Sequence, residues 1–169
     1  MAALLAGCGD GEYVTLLEKI LRPIALEFDP ELILVSAGFD IHFNEPLGGM
    51  RVTPQGFAAL TRSVLNIADH CCGGKVVMTL EGGYNLQGLQ NSVKAVLREL
   101  AGLQVTDIGS IMAGADAKML AVLLWRVRRI HGRHWKTLEH ALKNGLDPEP
   151  SIAERLKETM ARIIAYLRS

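Results

Sequence analysis

Two short stretches of the chain end in side chains of the kinds that do chemistry, and each follows an apolar run. Leu32 to Val35 leads through Ser36, Ala37 and Gly38 to Phe39-Asp40-Ile41-His42, and Val76 to Leu80 leads into Glu81-Gly82-Gly83-Tyr84. A carboxylate such as Asp40 suits Zn2+ or Mg2+, and the small residues before it let the backbone lie close to a bulky group. A lone Asp after a strand is more often a turn residue or a cap, so all three roles stay open. His42 shares the face of Asp40 only where the chain remains extended. Gly82 and Gly83 permit unusual dihedrals or a close backbone approach. A tyrosine directly after them can aim its hydroxyl at developing negative charge, although a packed loop aromatic is the commoner use.

Other clusters carry less. Asp69-His70-Cys71-Cys72 mixes ligand types, but it lacks the paired C-x2-C spacing of structural zinc and reads as a helix terminus. "GCGDG" (Gly7 to Gly11) has no strand before it, as a dinucleotide fingerprint requires. Arg126, Arg128, Arg129 and Arg133 stand near Trp125 and Trp135; a solvated helix face explains them better than a nucleic-acid patch. Met112, Met119 and Met160 read as core filler.

The elements that must position these residues follow from periodicity. Behind Asp10, a plausible N-cap, the residues Tyr13, Leu16, Leu17, Ile20, Leu21, Ile24 and Leu26 recur at helical spacing. Pro23 falls inside that pattern, where a helix kinks or restarts. Asp29-Pro30 turns the chain into a strand over 32–36. Thr53 and Pro54 start a second helix, which Gly73 and Gly74 end. A strand over 76–80 and a helix over roughly 86–101 follow, and helices broken near Gly132 and at "NGLDPEP" fill the remainder. Strand, helix, strand, helix is the pattern of a parallel sheet. In such sheets ligands gather beyond the carboxyl ends of the strands, so two adjacent ends would bring Asp40 and Tyr84 to one site. Both strands are nearly all-apolar, as central strands are. Two strands are few for such a sheet, and the rest of it is expected from elsewhere, the chain being a fragment or having a partner.

The 169 residues suffice for one domain that buries roughly 70% of its unfolded surface. Lys plus Arg and Asp plus Glu number 18 each, so zero net charge removes the simplest case for binding nucleic acid or a membrane surface. An apolar share of 49% suits a sheet covered on both faces. Three cysteines, two of them adjacent, argue against a disulfide scaffold and for a reducing, cytoplasmic location. "LLAGC" (Leu4 to Cys8) has the look of a lipoprotein processing site, but no basic residue and no long apolar core precede it. No run reaches the ~18 apolar residues of a membrane span.

"LVSAGFDIHFNEPLGGMRVTPQGFAALT" followed by "VVMTLEGGYNL" resembles the C-terminal half of the zinc-dependent histone deacetylases. It resembles equally their class II-like and bacterial relatives, the acetylpolyamine amidohydrolases and acetoin-utilisation-like deacetylases. The resemblance spans roughly residues 7–104, and "RRIHGRHW" still resembles a family tail helix. It implies an α/β fold, the three-layer parallel sheet of the arginase–deacetylase fold, with only the C-terminal part present. Residues 1–169 would then be one domain fragment, 1–104 carrying the motifs and 105–169 forming a helical tail.

The resemblance also implies roles. Asp40 matches a zinc ligand, and Tyr84 matches the tyrosine that hydrogen-bonds the amide carbonyl and its tetrahedral oxyanion. Leu47 matches a wall of the acyl-lysine channel, with Gly82 and Gly83 beside it. His42 carries no ligand role over. The implied reaction is zinc-assisted hydrolysis of acetyl-lysine or acetylpolyamine amides, with a histidine general base and no direct nucleic-acid or membrane partner. The paired histidines and the Asp-x-His that supply the remaining parts are expected upstream, since residues 1–31 contain no histidine. A catalytic zinc takes three protein ligands, and this chain matches one. A second reading is an inactive or partner-dependent module that self-associates through an exposed sheet edge. A third is an arginase-like two-metal hydrolase starting from Asp40-x-His42.

Overall fold

A computed structural model describes residue 4 and residues 6–138. The expected break at "NGLDPEP", and Met160, lie outside the described residues.

The N-cap of the first helix is Gly9, not Asp10. The Glu12 carboxylate accepts the Gly9 N–H at 2.8 Å, filling one of the donors a helix start leaves open. Asp10 is the first helical residue of α1 (Asp10–Leu16). Its carboxylate accepts from both Thr53 N (2.7 Å) and Thr53 Oγ1 (2.6 Å), a long-range pair of bonds that outcompetes a local cap. A π-helical turn, Leu17–Leu21, then leads into α2 (Arg22–Phe28). Its wider register, seen in the Arg22 N–H bond to Leu17 O, lies directly ahead of Pro23, which has no N–H to give. So the helix restarts at the proline, and its apolar side continues. Asp29 ends it in the left-handed region at φ 53°, donating its N–H to Ala25 O at 2.9 Å.

Strand β1 (Ile33–Gly38) runs two residues beyond the expected end and pairs in parallel with β2 (Val76–Glu81). The register matches Val35 with Met78, Ala37 with Leu80 and Gly38 with Glu81. The ladder continues through Phe39 N–H to Glu81 O at 3.2 Å. Between the strands lies α3 (Pro54–Cys72), capped by Thr53 Oγ1 accepting from Gly56 N and ended by Gly73 at φ 59°. Helix α4 (Leu86–Leu100) starts at Asn85, whose side chain accepts the Gly88 N–H at 2.8 Å. The tail begins earlier than its apolar pattern suggested, with α5 (Ile108–Ala113) capped by Asp107. It continues as α6 (Ala117–His131), which stops at Gly132.

One face of the sheet packs on the helices. Ala37 and Met78 meet a buried cluster of Phe39, Val52, Phe57 and Val96. The Phe39 and Phe57 rings stand 4.9 Å apart. The other face is open: Leu34 is 72% exposed and its register partner Val77 is also exposed. The described residues therefore build a sheet and one helical side, and neither outer strand edge meets a third strand. The all-apolar strands suit burial on both faces, and the described residues cover one of them. On the covered side an apolar cavity of about 550 Å³ lies between Leu16, Ile20 and Ile24 of the first helix and Val35, Ala37 and Phe57.

Two polar devices fasten the helices. The Arg62 guanidinium on α3 donates to the fully buried Glu99 carboxylate on α4 through Nε (2.8 Å) and Nη2 (2.6 Å), while Thr106 donates its N–H at 2.7 Å and its hydroxyl to the other oxygen. Glu27 near the end of α2 accepts from Lys136 N (3.1 Å), Thr137 N (3.0 Å) and Thr137 Oγ1 (2.8 Å), which holds the chain after α6. Among the described residues, no helix is long and apolar enough to cross a membrane.

Candidate functional site

The parallel register puts both strand ends side by side, and the chain leaving each strand turns toward the other. After β1, successive turns form as His42 N–H bonds Phe39 O, Glu45 N–H bonds His42 O and Gly48 N–H bonds Glu45 O. Phe43 N–H to Val52 O (3.0 Å) and Val52 N–H to Ile41 O (3.2 Å) tie the loop back on itself. The result is a tightly bonded platform that carries Asp40, Glu45 and Leu47.

Asp40 is exposed, and its carboxylate lies between the backbones of the two strand ends. A Cβ built on Gly38 would lie 3.2 Å from Oδ1, and one on Gly82 would lie 3.5 Å from Oδ2. Gly48 backs the Asp40 carbonyl so closely that a Cβ there would lie 2.7 Å from the oxygen. The glycines after β2 do conformational work: Gly82 has φ 66° and Gly83 φ 103°, values an L side chain rarely adopts. Gly83 also passes Phe39 with no room for a side chain, a Cβ there being 2.9 Å from Phe39 Cβ. This turn delivers Tyr84, 66% exposed, and Leu47 across the loop is 83% exposed. Asp40, Gly82 and Gly83 are thus brought together at the carboxyl edge, with Tyr84 following directly.

Glu45 escaped the sequence reading. Its side chain is 6% exposed, and Oε2 accepts from Tyr84 N (3.0 Å) and Asn85 N (3.2 Å). Asn85 Nδ2 returns a bond to Asn44 O at 2.9 Å. The only signal in the sequence was a carboxylate beside a proline in the same loop, because its partners are backbone groups 39 and 40 positions away.

His42 is structural, as expected. Its ring is 4% exposed, Nδ1 accepts the Asn44 N–H at 3.1 Å, and Gly88 leaves no space beside it. Burial pushes its proton affinity down, and Glu45 partly opposes this. Tyr13 on α1 packs against the same core. Burial first, then the charges of Cys8 and Asp40, push its phenol up to about 12.

A catalytic zinc takes three protein donors, and among the described residues no group of three His, Cys, Asp or Glu side chains is placed to hold a metal. Asp40 is a single donor, accessible and open to solvent. Among the described residues nothing joins Asp40 in the two-metal cluster that Asp40-x-His42 would have begun, and His42 turns inward. The remaining motifs take bland roles. Asp69 to Cys72 closes α3, with Cys72 Sγ donating to Lys75 O at 3.4 Å. Arg129 lies over the Trp125 ring at 4.4 Å, and Trp135 packs on the buried Ile20, Val127 and Leu138.

A family model described as the histone deacetylase domain matches residues 1–100. The chain is 34% identical over 133 residues to histone deacetylase clr3 of Schizosaccharomyces pombe, covering 79% of this chain and 18% of that protein. It is 37% identical over 145 residues to polyamine deacetylase HDAC10 of Homo sapiens, covering 86% and 21%. The crystal structure of the HDA15 HD domain superposes with a TM-score of 0.67 at 32% identity, over 84% of this chain and 37% of that one. The structure of Clr3 does so with 0.68 at 28%, over 96% and 26%. The chain thus spans 18% and 21% of the length of these two curated relatives.

Proposed function

The chain belongs to the histone deacetylase family, and from that premise we propose that it supplies part of an amide-hydrolysing site: Asp40 as one ligand of a Zn2+ and Tyr84 as the hydroxyl that polarises the acyl carbonyl. The substrates are acetylated lysine side chains or acetylpolyamines. Leu47, Gly82 and Gly83 flank the acyl chain. The observation that carries this is the register Gly38 with Glu81, which sets the Asp40 carboxylate against Gly82 just ahead of an exposed Tyr84.

The division of labour follows from what each residue offers. Tyr84 is an O–H donor on a turn with no side chains at two successive positions, so a substrate carbonyl can approach it closely. Such a donor is worth most in a water-excluded pocket; here it is exposed. Asp40 is one anionic oxygen donor where a catalytic zinc needs three protein ligands. The other donors, and the general base, come from outside the described residues. Among the described residues Cys8, Cys71 and Cys72 form no disulfide, which suits a reducing cytoplasm.

The test is hydrolysis of an acetyl-lysine peptide and of an acetylated diamine, with zinc supplied. Tyr84→Phe should lower the rate by about 10²–10³, the usual loss for one oxyanion donor, and Asp40→Asn should weaken zinc binding. A rate untouched by Tyr84→Phe sinks the assignment.

The open sheet face supports a second reading, a partner-dependent module without catalysis of its own. Leu34 and Val77 are exposed apolar residues on that face, and the sheet has unpaired edges among the described residues. Light scattering that shows a folded monomer at all concentrations would count against it.

A further inference from the structure

We infer that Glu45 is a positioning residue that fixes the Tyr84 turn against the Asp40 platform, an inference resting on the role proposed for Tyr84. The problem it solves is visible in the backbone. Gly82 and Gly83, both at positive φ, let the chain come close to Asp40, but glycine is also the residue with the most backbone freedom to lose. A tyrosine placed after two of them, with its ring in solvent, would wander unless something held its main chain. Glu45 does this with one oxygen: Oε2 accepts both the Tyr84 and Asn85 N–H groups.

The clamp has the features of a strong one. The acceptor is a carboxylate, whose bonds to N–H groups exceed those of neutral acceptors. It sits at the start of α4, a helix of 15 residues, where an anion meets the positive end of the helix dipole. The side chain is almost wholly buried, so water competes poorly for it. Its own backbone is locked on both sides, by Glu45 N–H to His42 O (3.0 Å) and Gly48 N–H to Glu45 O (3.3 Å). The same platform carries Asp40, whose carbonyl Gly48 covers. Glu45 therefore fixes one end of the distance between the carboxylate and the phenol to a rigid base. Its second oxygen, Oε1, is buried with no protein partner among the described residues. A glutamine can keep the double acceptor and put its NH2 group in that position, whereas alanine leaves the Tyr84 and Asn85 N–H groups without this acceptor.

Residue-resolved hydrogen exchange on the isotope-labelled full chain tests the clamp without requiring activity. In Glu45→Ala the Tyr84 and Asn85 amides should exchange roughly tenfold faster or more, as loss of a hydrogen bond to a charged acceptor implies. In Glu45→Gln they should remain near the parent rate, and the Ala59 and Ile67 amides of α3 should stay protected in both. Unchanged exchange of Tyr84 and Asn85 in Glu45→Ala overturns the inference. Where the parent chain hydrolyses acetyl-lysine peptide, Glu45→Ala should lower kcat with KM little changed, and Glu45→Gln should restore it. Loosened amides with an unchanged kcat, alongside a Tyr84→Phe loss, overturn the positioning role and leave the Tyr84 reading standing. A Tyr84→Phe rate equal to the parent overturns that reading and the positioning role with it. Where the chain shows no turnover, exchange decides alone.

Discussion

Gly82 stands against the carboxylate of Asp40: a Cβ built on it lies 3.4 Å from Asp40 Cγ, ordinary contact distance, at φ 66°. Space is available there and conformation is not. Gly82→Ala should cost about 1–2 kcal/mol, the penalty of an L residue in the left-handed region. Gly83→Ala meets a worse φ of 103° and a Cβ only 2.9 Å from that of Phe39, which adds about 1–3 kcal/mol of overpacking. Urea midpoints should rank parent, Gly82→Ala, Gly83→Ala in falling order, and a reversed order would contradict the geometry.

Arg62 and Glu99 form a buried pair, with side chains 17% and 0% exposed. Removing one partner leaves the other charge without compensation, so Arg62→Ala should lose about 3–5 kcal/mol. Glu99→Ala should lose as much, because the Thr106 donors are orphaned too. Chemical denaturation of the two variants and the double variant checks this. The double loss should fall well short of the sum, as coupled residues require.

Tyr13 gives a pH signature. Its phenol holds its proton to about 12 in the fold against 10.0 when free, so the native state binds more protons than the unfolded chain between those values. Its contribution is complete below pH 10 and is lost as pH rises toward 12. Ultraviolet titration should show a late tyrosine component that vanishes in Tyr13→Phe. The alkaline fall in stability should be shallower in that variant.

Leu34 and Val77 are register partners on the open face. Threonine at both keeps strand propensity and removes apolar surface, so any self-association should weaken while intrinsic stability shifts by about 0.5 kcal/mol or less. Sedimentation at several concentrations reads the first effect and thermal melts the second.

Much of this architecture was legible because local rules agree with the fold. Thr53-Pro54 and Gly73 bound α3, and the apolar runs mark both strands. Asp40 and Tyr84 were singled out because each follows a strand end in a specific motif. Two things were hidden, each for the same reason. Asp10 was read as a cap, yet it serves Thr53, 43 residues away. Glu45 grips backbone amides on another loop. The π-turn, by contrast, lies directly ahead of Pro23, where the local pattern already signalled a kink or restart. Side chains that act across the fold leave no periodic trace.

That π-turn works as a phase adjuster. Each residue of an α-helix turns the chain about 100°, so the extra residue in Leu17–Leu21 rotates everything after it relative to α1. Glu27 lies downstream, and its grip on Lys136 and Thr137 depends on that rotation being right. Deleting one residue from the segment would restore a plain helix and swing Glu27 away from its partners, loosening the chain after α6 while leaving the strand ends intact. A one-residue irregularity between α1 and α2 thus sets where the segment after α6 is held.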